Sequence, residues 1–374
     1  MQKSKSRKPL FVTKGYFDYQ TLFLIFVIVL FGLLMVYSSS SYRASVSGLP
    51  DTYFVKRQAL FAVIGFVLMI AISHINYKQL KRLSVLLMCI STALLLLVLF
   101  IGTASHGATR WIPIGPIQFQ PSEIAKPALI IYTAHICSAK GKMLNSMKGL
   151  IKLTLWPAIC VILIGVENLS TAIVCFMVVL AIIFVASPRV DKIVILIIIG
   201  VVLGVIGVFA AGYRSDRFDA WLHPETSESG FQTLQSLYAI GSGGFFGRGL
   251  GQSIQKMGFL PESHNDMIFS VICEELGLFG ALCVIALFLM LIFRFKYIAD
   301  NCYDSFGGFI ITGVLTHVAV QLLVNIGVVT NTIPPTGVTL PFISYGGTSL
   351  VFLLAEVGLV LSVSRQIKPY EKSR

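Results

Sequence analysis

The sequence predicts an all-α polytopic membrane protein of about ten transmembrane helices, with both termini cytoplasmic and one large outer loop, about 214–265, between the seventh and eighth helices. Composition is the first observation behind this: 56% of residues are hydrophobic and 12% charged, and mean hydropathy is +0.83, which excludes an ordinary soluble domain. The second is length, because apolar runs of about 18 residues or more recur from end to end, each able to cross a hydrocarbon core of roughly 30 Å. The third is charge placement. With the N-terminus inside, 20 of the 29 Lys and Arg fall in inner segments, eight in outer ones, and Lys126 within a helix. Positive-inside bias therefore sets the orientation. The same bias accounts for the formal net charge of +12, so contact with anionic membrane lipids is expected and nucleic-acid binding is not.

The runs, in order, are about 20–41, 57–75, 83–102, 120–138, 150–166, 169–187, 192–213, 266–295, 305–329 and 347–364. The first is too long for a signal-peptide core and lacks a small-residue cleavage pattern, so it reads as a retained helix. The fourth opens on Gln120-Pro121-Ser122-Glu123, a helix-start signal with proline at the first helical position. Only Glu167 and Asn168 part the fifth run from the sixth, and the polar stretch Glu167-Asn168-Leu169-Ser170-Thr171 reads first as a tight turn with a Ser/Thr cap. No low-complexity tract or solenoid repeat interrupts the chain, which reads as one domain over 1–374. None of the seven cysteines falls in an outer loop, so no disulfide framework is implied. The six histidines are scattered and no Cys/His cluster has metal-ligand spacing, so no metal site is expected.

Chemistry concentrates in four further segments. Gly107-Ala108-Thr109-Arg110-Trp111 precedes a helix in which Glu123 and Lys126, three apart, share a face. A local ion pair neutralising the lysine explains them, yet intramembrane charge is costly enough to mark a functional site. The outer loop carries Arg214, Arg217 and the run Gly241-Ser242-Gly243-Gly244-Phe245-Phe246-Gly247-Arg248-Gly249-Leu250-Gly251. Glycines that expose backbone N–H groups beside arginine suit an anion, although the spacing fits no nucleotide-binding fingerprint and loop flexibility alone also explains it. Pro261-Glu262-Ser263-His264-Asn265-Asp266 places carboxylates at the mouth of the bundle, with capping of the next helix by Asp266 as the alternative. Beyond it, Glu274 and Glu275 lie inside that helix, where each needs a partner or a proton. Finally, Pro334-Pro335-Thr336-Gly337 and Leu340-Pro341-Phe342-Ile343-Ser344-Tyr345-Gly346-Gly347 interrupt helix, which a bilayer permits where backbone lines a cavity or packs on protein.

Taken together, GxxRW with QPSExAK, GSGGxxGxGLGxS, PExxxDxIFxxxxEELG and PPTGxxLPFISYGGTS resemble the SEDS family (shape, elongation, division and sporulation). These are the polytopic peptidoglycan glycosyltransferases typified by FtsW and RodA. The resemblance runs from Met35-Val36-Tyr37-Ser38-Ser39 to the last helix, and that start and the PFISYGG segment look more like the division branch. One departure is Glu167-Asn168-Leu169-Ser170-Thr171, where many relatives read Pro-Asp-Leu-Gly-Thr.

The resemblance implies polymerisation of lipid II on the outer face of the cytoplasmic membrane, at the division septum. It implies a class B penicillin-binding transpeptidase as partner, with other division proteins. Asp266 matches the family's PExxxD aspartate and would be the catalytic base. Undecaprenyl diphosphate is already a good leaving group, so what remains is to accept the attacking hydroxyl's proton and to stabilise the departing diphosphate. Arg110, Lys126, Arg214, Arg217 and Arg248 are the candidates for the second task, with Glu123, Glu262 and Ser344 as further substrate contacts. No cofactor is implied, and divalent-cation assistance stays open. The rival readings are a lipid II flippase, for which buried Lys126, Glu274 and Glu275 would supply charge gating, an elongation polymerase like RodA, and a recruiting scaffold. The scaffold explains neither the PExxxD segment nor the basic loop.

Overall fold

The computed structural model describes residues 17–105, 108–114, 117–187, 190–209, 215–227 and 230–367. In chain order its helices are α1 (Tyr19–Val46), α2 (Tyr53–His74), α3 (Leu80–Ile101), α4 (Pro121–Lys140), α5 (Met147–Glu167), α6 (Leu169–Ala186), α7 (Val190–Phe209), α8 (Ser215–Leu222), α9 (Phe231–Gly243), α10 (Ile268–Asp300), α11 (Ser305–Val329) and α12 (Gly347–Ser364). Eight of them, α1 to α3, α5, α6 and α10 to α12, are apolar and long enough to cross a membrane. Helices α4 and α7, at 20 residues each, have the length to do so. The apolar runs thus reappear in order within a few residues of their expected ends.

Two departures concern the connections. Between α3 and α4 lie three short antiparallel strands, β1 (Thr103–Ser105), β2 (Ala108–Ile114) and β3 (Ile117–Phe119), paired β1-β2-β3. The expected loop of about 214–265 holds α8 and α9. Elsewhere the local signals act as read. Pro121 is the first residue of α4, and a single polar residue parts α5 from α6. The cap of α6 is Asn168, whose Oδ1 accepts from Ser170 N at 3.0 Å and Thr171 N at 3.3 Å, instead of a Ser or Thr. Asp18 caps α1 in the same way and binds Arg294 of α10 at 2.9 Å, tying the ends of these two helices.

Large apolar side chains such as Phe288, Phe295, Phe306, Ile25, Ile28 and Met69 fill a continuous interior, while Phe23, Leu30, Val67, Leu289 and Phe293 face outward. Outward apolar faces are what lipid contact requires, since hydrocarbon gives no penalty for them.

Helix α10 is broken at Gly277 (φ 67°, ψ −167°). The glycine-rich stretch after α9 takes up the freed backbone groups: Arg248 N and Gly249 N donate to Glu274 O and Glu275 O at 2.9 Å, while Leu278 N and Phe279 N donate to Gly244 O and Phe245 O at 3.0 Å. Glycine is required at both surfaces, because a Cβ on Gly277 would lie 2.3 Å from Gly247 N and one on Gly247 2.2 Å from Glu275 O. The two carboxylates at the break are fully partnered. Glu275 is bound by Lys256 Nζ at 2.7 Å, Ser38 Oγ at 2.6 Å and Gly251 N at 2.9 Å. Glu274 accepts from Ser253 Oγ at 2.5 Å, Ile254 N at 2.9 Å and Gln255 N at 3.3 Å. Both therefore hold the 248–256 stretch against α10.

Candidate functional site

Between α8 and the broken segment after α11 opens a cavity of about 700 Å³. Its wall combines Glu262, Asn265 and Asp266 from the turn before α10, Arg217 from α8, Gln232 from α9, Glu123 and Lys126 from α4, Arg57 from α2 and Trp111 from β2. Pro335, Gly337, Val338, Thr339, Tyr345 and Gly346 supply the rest of the mouth, so the Pro/Gly-rich segment is a cavity wall. Asn325 at the end of α11 holds this wall in place, donating from Nδ2 to Asp266 O at 2.7 Å and to Val338 O at 2.8 Å. Gly337 adopts φ +70°, and a Cβ there would lie 3.8 Å from Asp266 Oδ2. The aspartate therefore sits directly against that turn.

Asp266 does not cap α10. The cap position is Met267 and no side chain serves it. Asp266 Oδ1 has no hydrogen-bond partner, although Asp266 is only partly exposed. Burial, reinforced by the nearby Glu262 carboxylate, pushes the Asp266 pKa from the ordinary carboxylate range up to about 7, with backbone N–H groups of Asp266 and Met267 and the Arg217 charge pulling the other way. A carboxylate poised there can accept a proton and lose it again near neutral pH. Glu262, at φ 52° in the left-handed region, is itself steadied by Arg43 at 3.4 Å and by Asn265.

Lys126 binds Glu123 at 2.8 Å, and both are buried with only 8% of each side chain exposed. The ion pair and the site coincide, since both residues also line the cavity. Arg217 reaches the wall from its own helix and donates to Pro335 O at 3.2 Å.

Four sequence candidates stand differently. Arg248 is absent from the cavity wall and lies 3.8 Å from Glu274; the glycines around it serve helix packing, as the backbone bonds to α10 show. Ser344 is a staple between segments, its Oγ accepting from Leu340 N at 2.8 Å and donating to Asn265 O at 2.6 Å. Arg214 lies outside the described residues. Arg110 falls in β2 beside Trp111, and its side chain lies outside what is described. Residues that the sequence did not single out also line the wall, among them Arg57, His317 and Gln321, and Asn168 and Thr171 of the expected turn between α5 and α6 join them. For His317 the available signal was an ionisable group within an apolar run. Among the described residues no group of three or more His, Cys, Asp or Glu is gathered for a metal ion.

The match to known proteins spans this whole arrangement. Residues 19–369 match the family model described as "Cell cycle protein", covering FtsW, RodA and SpoVE. The chain belongs to this family. A relative in Bacillus subtilis (strain 168), stage V sporulation protein E, is 42% identical over 89% of this chain and 93% of its own length. A probable peptidoglycan glycosyltransferase FtsW of Geobacter metallireducens is 38% identical over 94% of this chain and 96% of its own. Among solved structures, the rod shape determining protein RodA of Thermus thermophilus superposes with a TM-score of 0.68 at 27% identity, covering 94% of this chain and 97% of that one. A chain from a peptidoglycan synthase complex, described as coordinating polymerization and crosslinking, gives 0.77 at 27% identity over 93% and 98%. Family membership and its apolar helices make this chain a multi-pass membrane protein.

Proposed function

We propose that this protein is a peptidoglycan glycosyltransferase that polymerises lipid II on the outer face of the bacterial cytoplasmic membrane. The observation that carries the reading is Asp266: an unpartnered carboxylate oxygen on a large cavity shared with Lys126, Arg57 and Arg217. Asp266 removes the proton from the attacking sugar hydroxyl as its oxygen bonds to the donor's anomeric carbon. The bond from that carbon to the diphosphate oxygen breaks, and the cations of the wall stabilise the leaving group. A polyprenyl tail can stay in the bilayer while the sugars occupy the cavity. Relatives named peptidoglycan glycosyltransferase support this activity. The test is purified protein given lipid II and scored for glycan chains, with Asp266→Asn as control.

A role in septal or sporulation wall synthesis is supported by curated relatives named FtsW and stage V sporulation protein E at 34–42% identity, against 27% for the RodA structures. A class B penicillin-binding transpeptidase is the partner this reading requires, supported by the neighbour taken from a synthase complex; other division proteins would join it at the septum. Lipid II movement has less to draw on. Glu274 and Glu275, its proposed gating charges, are committed to the packing of the 248–256 stretch.

A further inference from the structure

One face of α11 carries His317, Gln321 and Asn325, four residues apart and hence in line along the helix. Asn325 is bonded to Asp266 O, so His317, eight residues earlier in α11, lies about 12 Å farther down the bundle at 1.5 Å per residue. At that depth His317 Nδ1 is 2.6 Å from Glu356 Oε2 of α12, and both side chains are buried, with 2% and 1% exposed. His317 lines the cavity and Glu356 does not. The ring's remaining nitrogen, Nε2, has no partner.

Lys126 is already matched by Glu123 at 2.8 Å. His317 Nδ1 is spent on Glu356, which leaves Nε2, the ring nitrogen without a partner, to bond a further group, on the residue of the pair that meets the cavity. A ring nitrogen that bears hydrogen is a donor to an anionic oxygen.

From this geometry we infer that His317, held by Glu356, is a second donor for the diphosphate of a polyprenyl-linked ligand, acting with Lys126 at the inner end of the cavity. The inference rests on the glycosyltransferase reading above and adds the pair His317–Glu356 to its site. The ligand's phosphate oxygen accepts from Nε2–H while Lys126 supplies the point charge. Glu356 lies within electrostatic range of Lys126, together with Glu123 and Cys175 of α6, and Arg57 and Arg217 line the same cavity. Glu356 acts through His317, as a positioning residue.

The test uses the full-length protein in detergent with farnesyl diphosphate as probe and farnesyl monophosphate as comparator, read by binding affinity and by KM and kcat for lipid II. His317→Gln should weaken farnesyl diphosphate about tenfold, the factor expected for one lost hydrogen bond to a charged group. It should raise KM for lipid II while leaving the probe's preference for diphosphate over monophosphate reduced. Glu356→Gln should fall between, because an amide still holds the ring. His317→Met guards against an unforeseen bond by Gln and should match it. Wild-type affinity in both His317 variants, with Lys126→Met weakened, would overturn the role of His317 and leave the glycosyltransferase intact. No probe binding and no glycan from the wild type would instead defeat the reading on which the inference stands.

Discussion

Replacing Asp266 with Asn should abolish polymerisation and, at alkaline pH, stabilise the fold. The side chain keeps its shape, but the amide cannot accept the hydroxyl proton. The stability effect follows from burial. The folded carboxyl has its pKa raised from 3.8 to about 7, so between those values the folded state binds more protons than the unfolded one. Stability of the wild type therefore falls as pH rises through that window and levels off above it. At about 1.36 kcal/mol per unit, a shift of about three units sets a ceiling of about 4 kcal/mol, which access to cavity water lowers to about 2 kcal/mol. Asp266→Asn lacks this term. Thermal unfolding of both proteins in detergent from pH 4 to pH 9 should give similar midpoints at the acid end and a higher midpoint for the variant above pH 7. Polymerisation by the wild type should rise through about pH 7 over the same range. A gap between the two proteins that does not change with pH would refute the burial argument, and a variant with wild-type rate would refute the assignment of the base.

Other outcomes follow from named contacts. Lys126→Met should strand buried Glu123, costing about 3–5 kcal/mol; Glu123→Gln with Lys126→Met should recover most stability in thermal unfolding without recovering glycan synthesis, whereas Lys140 and Lys142 should be replaceable by Ala at no loss of rate. Glu275→Gln should unbalance Lys256, lowering the unfolding midpoint while the rate per folded molecule is largely kept. Gly277→Ala should destabilise strongly, as the Cβ would collide with Gly247 N at 2.3 Å, and poor yield of folded protein is its readout. His264 lies against Phe54 and Tyr345, and burial lowers its pKa from 6.5 to about 4. Its neutral form is favoured by folding, so stability should fall as pH drops from 6.5 towards 4, and His264→Phe should remove that part of the acid sensitivity in unfolding midpoints.

Much of this was legible because bilayer physics is local. Run length and cation placement need no knowledge of partners, and each of the ten runs became a helix. The Glu123–Lys126 pair was legible for the same reason, as i and i+3 on one helix. Long-range pairing was not. Arg248 and Gly249 look like anion chemistry in isolation; their backbone partners, Glu274 and Glu275, are 26 residues away, and nothing local announces that α10 breaks at Gly277. Ser344 likewise shows its role only when Asn265 is beside it. Sequence put Asp266 in the turn ahead of α10, where it lines the cavity, but could not tell a helix cap from a cavity carboxylate, since that turns on whether α10 begins at Ile268 or earlier. Each member of the His317–Glu356 pair stood alone in its own apolar run, 39 residues apart, so neither had a visible partner.

The most direct measurement of the central claim is glycan synthesis by the purified protein, alone and with its transpeptidase partner, from lipid II of defined composition. Chains resolved by gel electrophoresis should form with the wild type and be lost with Asp266→Asn at equal folded concentration. Glycan of equal length and yield from both, or none from the wild type even with its partner, would contradict the account.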